Sequence, residues 1–189
     1  MTSTERRYFY DLYASSPDPW GFASQWYERR KYDLTVAALP RLRYARAFEP
    51  GCSIGVLTEL LAARCDHVLA SDIVPSALAQ AEIRLCPLEN VVVEQRAIPE
   101  DWPTGTFDLI ILSEIAYYFD AAALNTIVSR TVDSSVLGAN LVAVHWRGPT
   151  NYPLSAVEAH AQIDLSEHWR REVHYEEEKF LIDVWERVA

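Results

Sequence analysis

From residue 44 to residue 146 short apolar runs alternate with helical patterns, and this alternation restricts the fold more than any other feature of the chain. Tyr44–Glu49, His67–Asp72, Val91–Gln95, Phe107–Ser113 and Asn140–Trp146 read as strands, with Gly55–Arg64, Pro75–Leu85 and Ala121–Val132 as helices between them. The second helix shows the spacing most clearly, with Ala77, Leu78, Ala81 and Leu85 on one face. A loop around Pro99 to Gly105 separates the third and fourth strands. Strands joined through helical segments of ten or more residues need right-handed crossovers, which predicts a doubly wound α/β fold with a parallel sheet covered on both faces. After His145-Trp146-Arg147-Gly148-Pro149 come a loop, a helix near Ser155–Ile163, and strands Trp169–Tyr175 and Phe180–Arg187, with Glu176-Glu177-Glu178 between them like a hairpin turn. Nothing in the 189 residues marks a repeat or a linker, so residues 1–189 read as a single domain.

Residues 1–28 carry Tyr8, Phe9, Tyr10, Tyr13, Trp20, Phe22, Trp26 and Tyr27, interrupted by Ser15-Ser16-Pro17-Asp18-Pro19, and read as an irregular aromatic segment. A helix from Trp26 to Leu39 follows, with Trp26, Tyr27, Leu34, Ala37 and Ala38 as its apolar positions and Pro40 ending it; it shows Arg29, Arg30 and Lys31 together. The net charge of -10 is uneven: the first fifty residues hold 8 basic against 6 acidic side chains, and the excess acid lies beyond them. An acidic body argues against nucleic acid or an anionic membrane as partner, because phosphate is contacted mostly by Lys and Arg. Cys52, Cys65 and Cys86 lack C-x-x-C spacing and any paired His motif, so neither a disulfide framework nor a metal site is expected. No apolar stretch approaches the ~20 residues of a membrane span. The expectation is a reduced, cytoplasmic protein.

The informative stretch is Glu49-Pro50-Gly51-Cys52-Ser53-Ile54-Gly55, between the first strand and the first core helix. Such a loop lets backbone N–H groups and a helix N-terminus approach a ligand closely. A dinucleotide site wants G-x-G-x-x-G, and Ser53 stands at the second glycine position and Val56 at the third. A nucleophile elbow fits the pattern G-x-S-x-G formally, with Asp108 and several histidines downstream, but an elbow serine belongs on a central strand reached after several others. The third reading is an S-adenosylmethionine site, whose loop carries an acid just before the first glycine and another closing the second strand; Glu49 and Asp72 occupy those positions. Asp72 would meet a ribose diol at the carboxyl edge of the sheet, or else only cap the helix beginning near Pro75.

Asp18-Pro19-Trp20-Gly21, Tyr27-Glu28-Arg29-Arg30-Lys31-Tyr32, the loop Glu49 to Gly55, Phe107-Asp108, Ser113-Glu114-Ile115-Ala116-Tyr117-Tyr118 and His145-Trp146-Arg147 together resemble the nodulation protein S type of N-methyltransferase, within the class I S-adenosylmethionine-dependent methyltransferases. The resemblance implies a Rossmann-like, seven-stranded, mostly parallel sheet ending in an antiparallel hairpin. It divides the chain into an N-terminal lid and helix (1–40), a cofactor-binding core (44–146) and an acceptor loop with the hairpin (147–189). It implies methyl transfer to the free amine of a deacetylated amino sugar or chitooligosaccharide. A small-molecule O-methyltransferase on the same fold, a hydrolase using Ser53 and a non-catalytic cofactor-binding module are the alternatives.

By position, the resemblance gives the cofactor's methionine part to Gly51, Cys52, Ser53 and Gly55, its ribose and adenine to Asp72 and Ile73, and further contacts to Glu49, Ala97, Ile98 and Ser113. Arg96 stands where many such enzymes have an acid that accepts from the adenine amine, which a guanidinium cannot do. Trp20 and Tyr27 are expected to close over the cofactor, and Arg30 to pair with its carboxylate. The amine must arrive without its proton, so a base or a desolvated pocket is needed. His145 and Glu114 are the candidate bases, with His160 behind them. Tyr117, Tyr118, Trp146 and Arg147 are the candidate acceptor contacts, since aromatic faces suit the apolar side of a sugar. The expected partners are a small-molecule or oligosaccharide amine, with no nucleic acid and no membrane, for a monomer or homodimer.

Overall fold

Leu109, Ile110, Ile111 and Leu112 are four apolar residues in a row, and all four are fully buried. A strand alternates its side chains between two faces, so such a run requires cover on both. The computed structural model describes residues 2–189; Met1, at the head of the N-terminal segment, lies outside the described residues. The elements in chain order are α1 (Arg6–Ser15), α2 (Trp26–Ala37), β1 (Tyr44–Pro50), α3 (Val56–Ala62), β2 (Cys65–Asp72), α4 (Pro75–Leu85), β3 (Val91–Gln95), β4 (Phe107–Ser113), a 3-10 turn (Ala116–Tyr118), α5 (Ala121–Asp133), β5 (Ser135–Trp146), α6 (Ala156–Asp164), β6 (Trp169–Glu176) and β7 (Phe180–Arg187).

The strands form one seven-stranded sheet in the order β3-β2-β1-β4-β5-β7-β6. All pairs are parallel except those made by β7, which runs antiparallel to β5 and β6. The expected doubly wound sheet and its C-terminal hairpin are therefore present. One face buries Leu109, Ile111, Val142 and Val144 with Leu57 and Leu61 of α3 and Tyr32 of α2. The other buries Ile110, Leu112, Leu141 and Ala143 with Leu124 and Ile127 of α5, Ile163 of α6 and Trp169. Chain order reverses between β1 and β4, so the loops at their carboxyl ends splay apart and leave a crevice. Among the described residues no helix is long and apolar enough to cross a membrane.

Two N-terminal elements differ from expectation. Residues 6–15 are helical rather than irregular. Tyr8 and Tyr10, on faces left partly exposed, mask the inward pair Phe9 and Tyr13, four residues apart. In α2 the usual polarity is inverted. Its buried stripe is Glu28, Lys31, Tyr32 and Thr35, while Trp26, expected inside, is exposed. The stripe keeps helical spacing but carries charge where a core helix carries methyl groups.

The N-terminal segment is tied across the crevice. Thr4 N–H donates to the Tyr118 carbonyl at 2.7 Å. Ser3 donates from its backbone N–H and hydroxyl to Asp120 Oδ2 at 3.2 and 3.1 Å. Asp120 also caps α5, accepting from Ala123 N–H at 2.9 Å. Asp120→Ala should therefore raise hydrogen exchange in α1 as well as in the first turn of α5, leaving the strand amides of β1 and β4 protected. Unchanged exchange in α1 would contradict the tie.

Candidate active site

The chain turns sharply after β1 and again after β4, and both turns use left-handed backbone. Gly51, Ser53 and Gly55 have φ of 73, 54 and 78°, and Glu114 has 55°. A Cβ on Gly51 would lie 2.3 Å from Ile115 Cγ2, so glycine is needed there for space as well as for φ. Ser53 and Glu114 are not glycines, and a left-handed residue with a side chain costs about 1 kcal/mol that surrounding contacts must offset.

Those contacts are acids and their donors. Ser53 N–H and Val74 N–H each donate to one oxygen of Asp72, both at 2.9 Å, fixing the carboxylate between the ends of β1 and β2. Burial raises the Asp72 pKa, and these two N–H groups oppose the rise. Glu49, beneath the loop, accepts from Thr58 Oγ1 at 2.6 Å. Burial pushes its pKa up to about 8, the Thr58 hydroxyl pulling down and Asp72 adding to the rise. Tyr13 from α1 hydrogen-bonds the Ser53 hydroxyl. The buried Ser71 Oγ, on the same wall, has no hydrogen-bond partner.

Across the crevice Glu114 is held by three donors: Lys31 Nζ at 2.5 Å, the Tyr117 hydroxyl, and Trp146 N–H at 2.9 Å. Lys31 is wholly buried, with Glu28 Oε2 2.8 Å away on its other side. Burial alone would lower the Lys31 pKa; the carboxylates of Glu114 and Glu28 more than reverse that, so the ammonium stays charged. The rings of Tyr117 and Tyr118 stand 5.0 and 4.5 Å from that of Tyr152, and Phe9 of α1 meets Tyr118 edge-on at 4.8 Å.

Both clusters line one cavity of about 750 Å³. It brings together Trp20, Tyr27, Glu49, Gly51, Cys52, Ser53, Asp72, Ile73, Ala97, Ile98, Ser113, Glu114, Tyr117, Tyr118 and Trp146. Trp20 stacks on Phe22 at 5.3 Å and meets Tyr13 edge-on, and Tyr27 donates its hydroxyl to the Lys179 carbonyl at 3.3 Å.

Four expected residues lie elsewhere. His145 is fully buried behind the wall: its Nε2 accepts from Ala116 N–H at 2.9 Å, and its Nδ1 faces His160 Nε2 at 2.8 Å. His160 in turn contacts Asp183 Oδ2 at 2.7 Å. Burial, with His160 and Lys31 nearby, holds the His145 pKa well below the usual imidazole value. An imidazole whose Nε2 is already accepting from the backbone cannot take a proton from a molecule in the cavity, so His145 supports the 3-10 turn instead. Arg30 points to the hairpin, donating to Glu177 at 2.8 and 2.5 Å, away from any ligand carboxylate. Arg147 does likewise, 2.6 Å from Glu176 and donating to the Glu177 carbonyl at 2.5 Å. Gly55 faces α4, where an added Cβ would lie 2.9 Å from Leu85 Cδ1.

Arg96 reaches the cavity edge but is occupied by Glu94, 2.5 Å away. The hydrolase reading has no catalytic geometry: Ser53 pairs with Tyr13, among the described residues no histidine lines the cavity, and Asp108 accepts from Ala45 and Arg46 N–H at the opposite end of the sheet. Among the cavity residues missed by the sequence reading are Phe9, Tyr13, Glu28, Lys31, Ser71 and Tyr152. A Phe9–Tyr13 pair at helical spacing was the available signal for the first two; a buried lysine leaves none.

Sheet order, left-handed loop and strand-end acid define the class I methyltransferase fold. The sequence profile of the nodulation protein S (NodS) family matches residues 6–144, and the chain belongs to that family. Nodulation protein S of Rhizobium tropici is 27% identical over 130 residues, covering 68% of this chain and 55% of its own, so the chain spans little more than half that relative's length. A crystal structure of a candidate methyltransferase from Pseudomonas syringae is 40% identical with a TM-score of 0.77, covering 86% of this chain and all of that one. The N-methyltransferase NodS from Bradyrhizobium japonicum WM9, in complex with S-adenosyl-L-homocysteine, superposes with a TM-score of 0.85 at 20% identity, covering 95% of this chain and 98% of that one.

The Glu49 environment makes a pH prediction. Folded Glu49 keeps its proton up to about pH 8, whereas its ordinary value is 4.5. The folded state thus binds more protons than the unfolded chain in that window, and stability falls as pH rises through it. Glu49→Gln should flatten this dependence, narrowing the difference in Tm between about pH 5.5 and 8. Tm curves running parallel for both proteins would contradict it.

Proposed function

We propose that the protein is an S-adenosylmethionine-dependent N-methyltransferase acting on the free amine of a deacetylated amino sugar or chitooligosaccharide. The observation that carries this reading is one cavity with two unlike walls: a backbone loop with buried acids on one side, and on the other carboxylates beside a cluster of tyrosines.

The first wall fits the cofactor. It offers a loop kept free of side chains at Gly51, an unpartnered hydroxyl at Ser71, and an Asp72 carboxylate that accepts one N–H per oxygen and so retains acceptor capacity for a ribose diol. Cys52 and Ser53 would line the methionine portion with Gly51, the Glu49 carboxyl would accept a hydrogen bond from its ammonium, and Ser113 would close that end. Ile73, Ala97 and Ile98 would flank the adenine. The bound cofactor supplies an electrophilic methyl group on a sulfonium. Trp20 and Tyr27, aromatic residues of the N-terminal segment, would exclude water and offer ring faces to the cationic sulfur, an attraction of about 1 kcal/mol.

The second wall fits an amino sugar. Tyr117, Tyr118 and Trp146 offer flat apolar surface with polar edges, and the nearby carboxylates suit an ammonium and hydroxyls. Fixing acceptor and methyl in line can supply several kcal/mol of the barrier reduction. In this reading residues 1–189 act as one domain, as a monomer or homodimer, in the cytoplasm, where the thiols of Cys52, Cys65 and Cys86 stay reduced.

S-adenosylhomocysteine should raise the Tm while NAD does not, and methyl transfer from S-adenosylmethionine should occur to glucosamine oligomers but not to their N-acetyl counterparts. Equal transfer to both, or to neither, would overturn the amine reading. Asp72→Asn should weaken S-adenosylhomocysteine binding about 10-fold or more in calorimetry, the loss of a hydrogen bond to a charged group. Unchanged affinity would remove Asp72 from the cofactor site.

A further inference from the structure

Five carboxylates line the cavity: Glu28, Glu49, Asp72, Glu100 and Glu114. Four accept hydrogen bonds from the protein. Thr58 donates to Glu49, two backbone N–H groups to Asp72, Arg6 to Glu100, and Lys31, Tyr117 and Trp146 N–H to Glu114. Among the described residues Glu28 is the exception. The residue is 6% exposed, and its buried Oε2 has no aligned donor although Lys31 Nζ lies 2.8 Å away. The approach is an ion contact off the hydrogen-bond axis.

Charge points the same way. Lys31 carries one positive charge between two carboxylates, so the Lys31, Glu28 and Glu114 cluster holds one negative charge in excess. Of the other charged or titratable groups on neighbouring elements, Asp18 is engaged by Phe22 and Ala23 N–H, Tyr27 and Tyr32 are neutral phenols, and Lys179 is exposed at the rim. None neutralises the excess from within. A buried carboxylate whose one polar partner is an ammonium shared with a second carboxylate is under-compensated, and a ligand that brings both positive charge and N–H donors relieves that.

We propose that Glu28 binds the acceptor's ammonium group and takes its proton, which makes it the catalytic base of the amine transfer; the inference rests on the reading given under Proposed function. The acceptor R–NH3+ donates a proton to the Glu28 carboxylate, giving R–NH2 and a neutral carboxylic acid. The freed nitrogen lone pair forms the new N–C bond to the methyl carbon as the S–C bond breaks, and that electron pair stays on sulfur, leaving a neutral thioether and R–NH2–CH3+. Glu28 then loses its proton to solvent through the cavity mouth. Burial raises the Glu28 pKa against the pull of Lys31, which suits a group that must hold a proton for part of the cycle. Glu114 serves as a positioning residue, because it already accepts from Lys31 on one oxygen and from the Tyr117 hydroxyl and Trp146 N–H on the other.

The test compares wild type, Glu28→Gln and Glu28→Asp. Three quantities are measured: S-adenosylhomocysteine affinity by calorimetry, affinity of the S-adenosylhomocysteine-loaded protein for glucosamine oligomers, and kcat for their methylation. Glu28→Gln should lower kcat about 100-fold or more and weaken amine binding, with S-adenosylhomocysteine affinity within about twofold of wild type. Glu28→Asp should recover part of the rate. A Gln variant with kcat within about threefold of wild type overturns the proposal. So does a selective loss of S-adenosylhomocysteine binding, which would make Glu28 the partner of the cofactor's own cation. If wild type binds the amines in a Glu28-dependent way without methylating them, the methyltransferase reading fails while the ammonium site stands. If it neither binds nor methylates them, both fail.

Discussion

The ammonium of Lys31 joins the two halves of the site. It sits 2.5 Å from Glu114, at the end of β4, and 2.8 Å from Glu28, on its own helix, and it is almost completely shielded from water. Moving such a charge out of water costs several kcal/mol, which only close opposite charges recover. Because the partners lie on different elements, the pairing fixes α2 against the sheet edge. It also settles the Glu114 side chain, whose other oxygen receives the Tyr117 hydroxyl and Trp146 N–H. The 3-10 turn, the end of β5 and α2 thus converge on one carboxylate, and the left-handed Glu114 backbone is held by their sum.

The wall across the crevice uses the same principle with different donors. There the acids answer backbone N–H groups and a threonine hydroxyl, so the left-handed Ser53 is fixed by Asp72. Both walls lie at the carboxyl ends of parallel strands, where the sheet order reverses. The doubly wound topology opens the crevice, and buried polar pairing gives each wall a single arrangement. Both walls carry carboxyl groups, with aromatic surface between them, a setting that suits a cationic ligand with flat surfaces.

Much of this architecture was legible in the sequence, since strands buried on both faces, such as Phe107–Ser113, write continuous apolar runs, and Gly51 announces a turn that only glycine can make. The glycine loop and Asp72 could be placed because neighbouring strands of known order bring them together. Long-range pairing of charges left no such record. Arg30 and Arg147 looked free in the sequence, yet the acidic hairpin turn folds back to take both. His145 lies at the end of a strand beside the cavity, but strand alternation turns its ring to the core and Trp146 toward the cavity. Lys31 and Glu28 stand in one charged run with Arg29 and Arg30, and a buried stripe of charge has the same spacing as an exposed one, so only the tertiary partner tells them apart.

Lys31 and Glu114 are energetically coupled through burial, and a double-mutant cycle on Lys31→Met and Glu114→Gln measures that coupling directly. Lys31→Met should cost about 3–5 kcal/mol by leaving buried carboxylates without their counter-ion, and Glu114→Gln, which leaves Lys31 paired with Glu28, should cost less. The double variant should be less destabilised than the sum of the singles by about 2 kcal/mol in denaturant unfolding. Single effects that add to within about 0.5 kcal/mol would mean that the ammonium does not join α2 to the sheet edge.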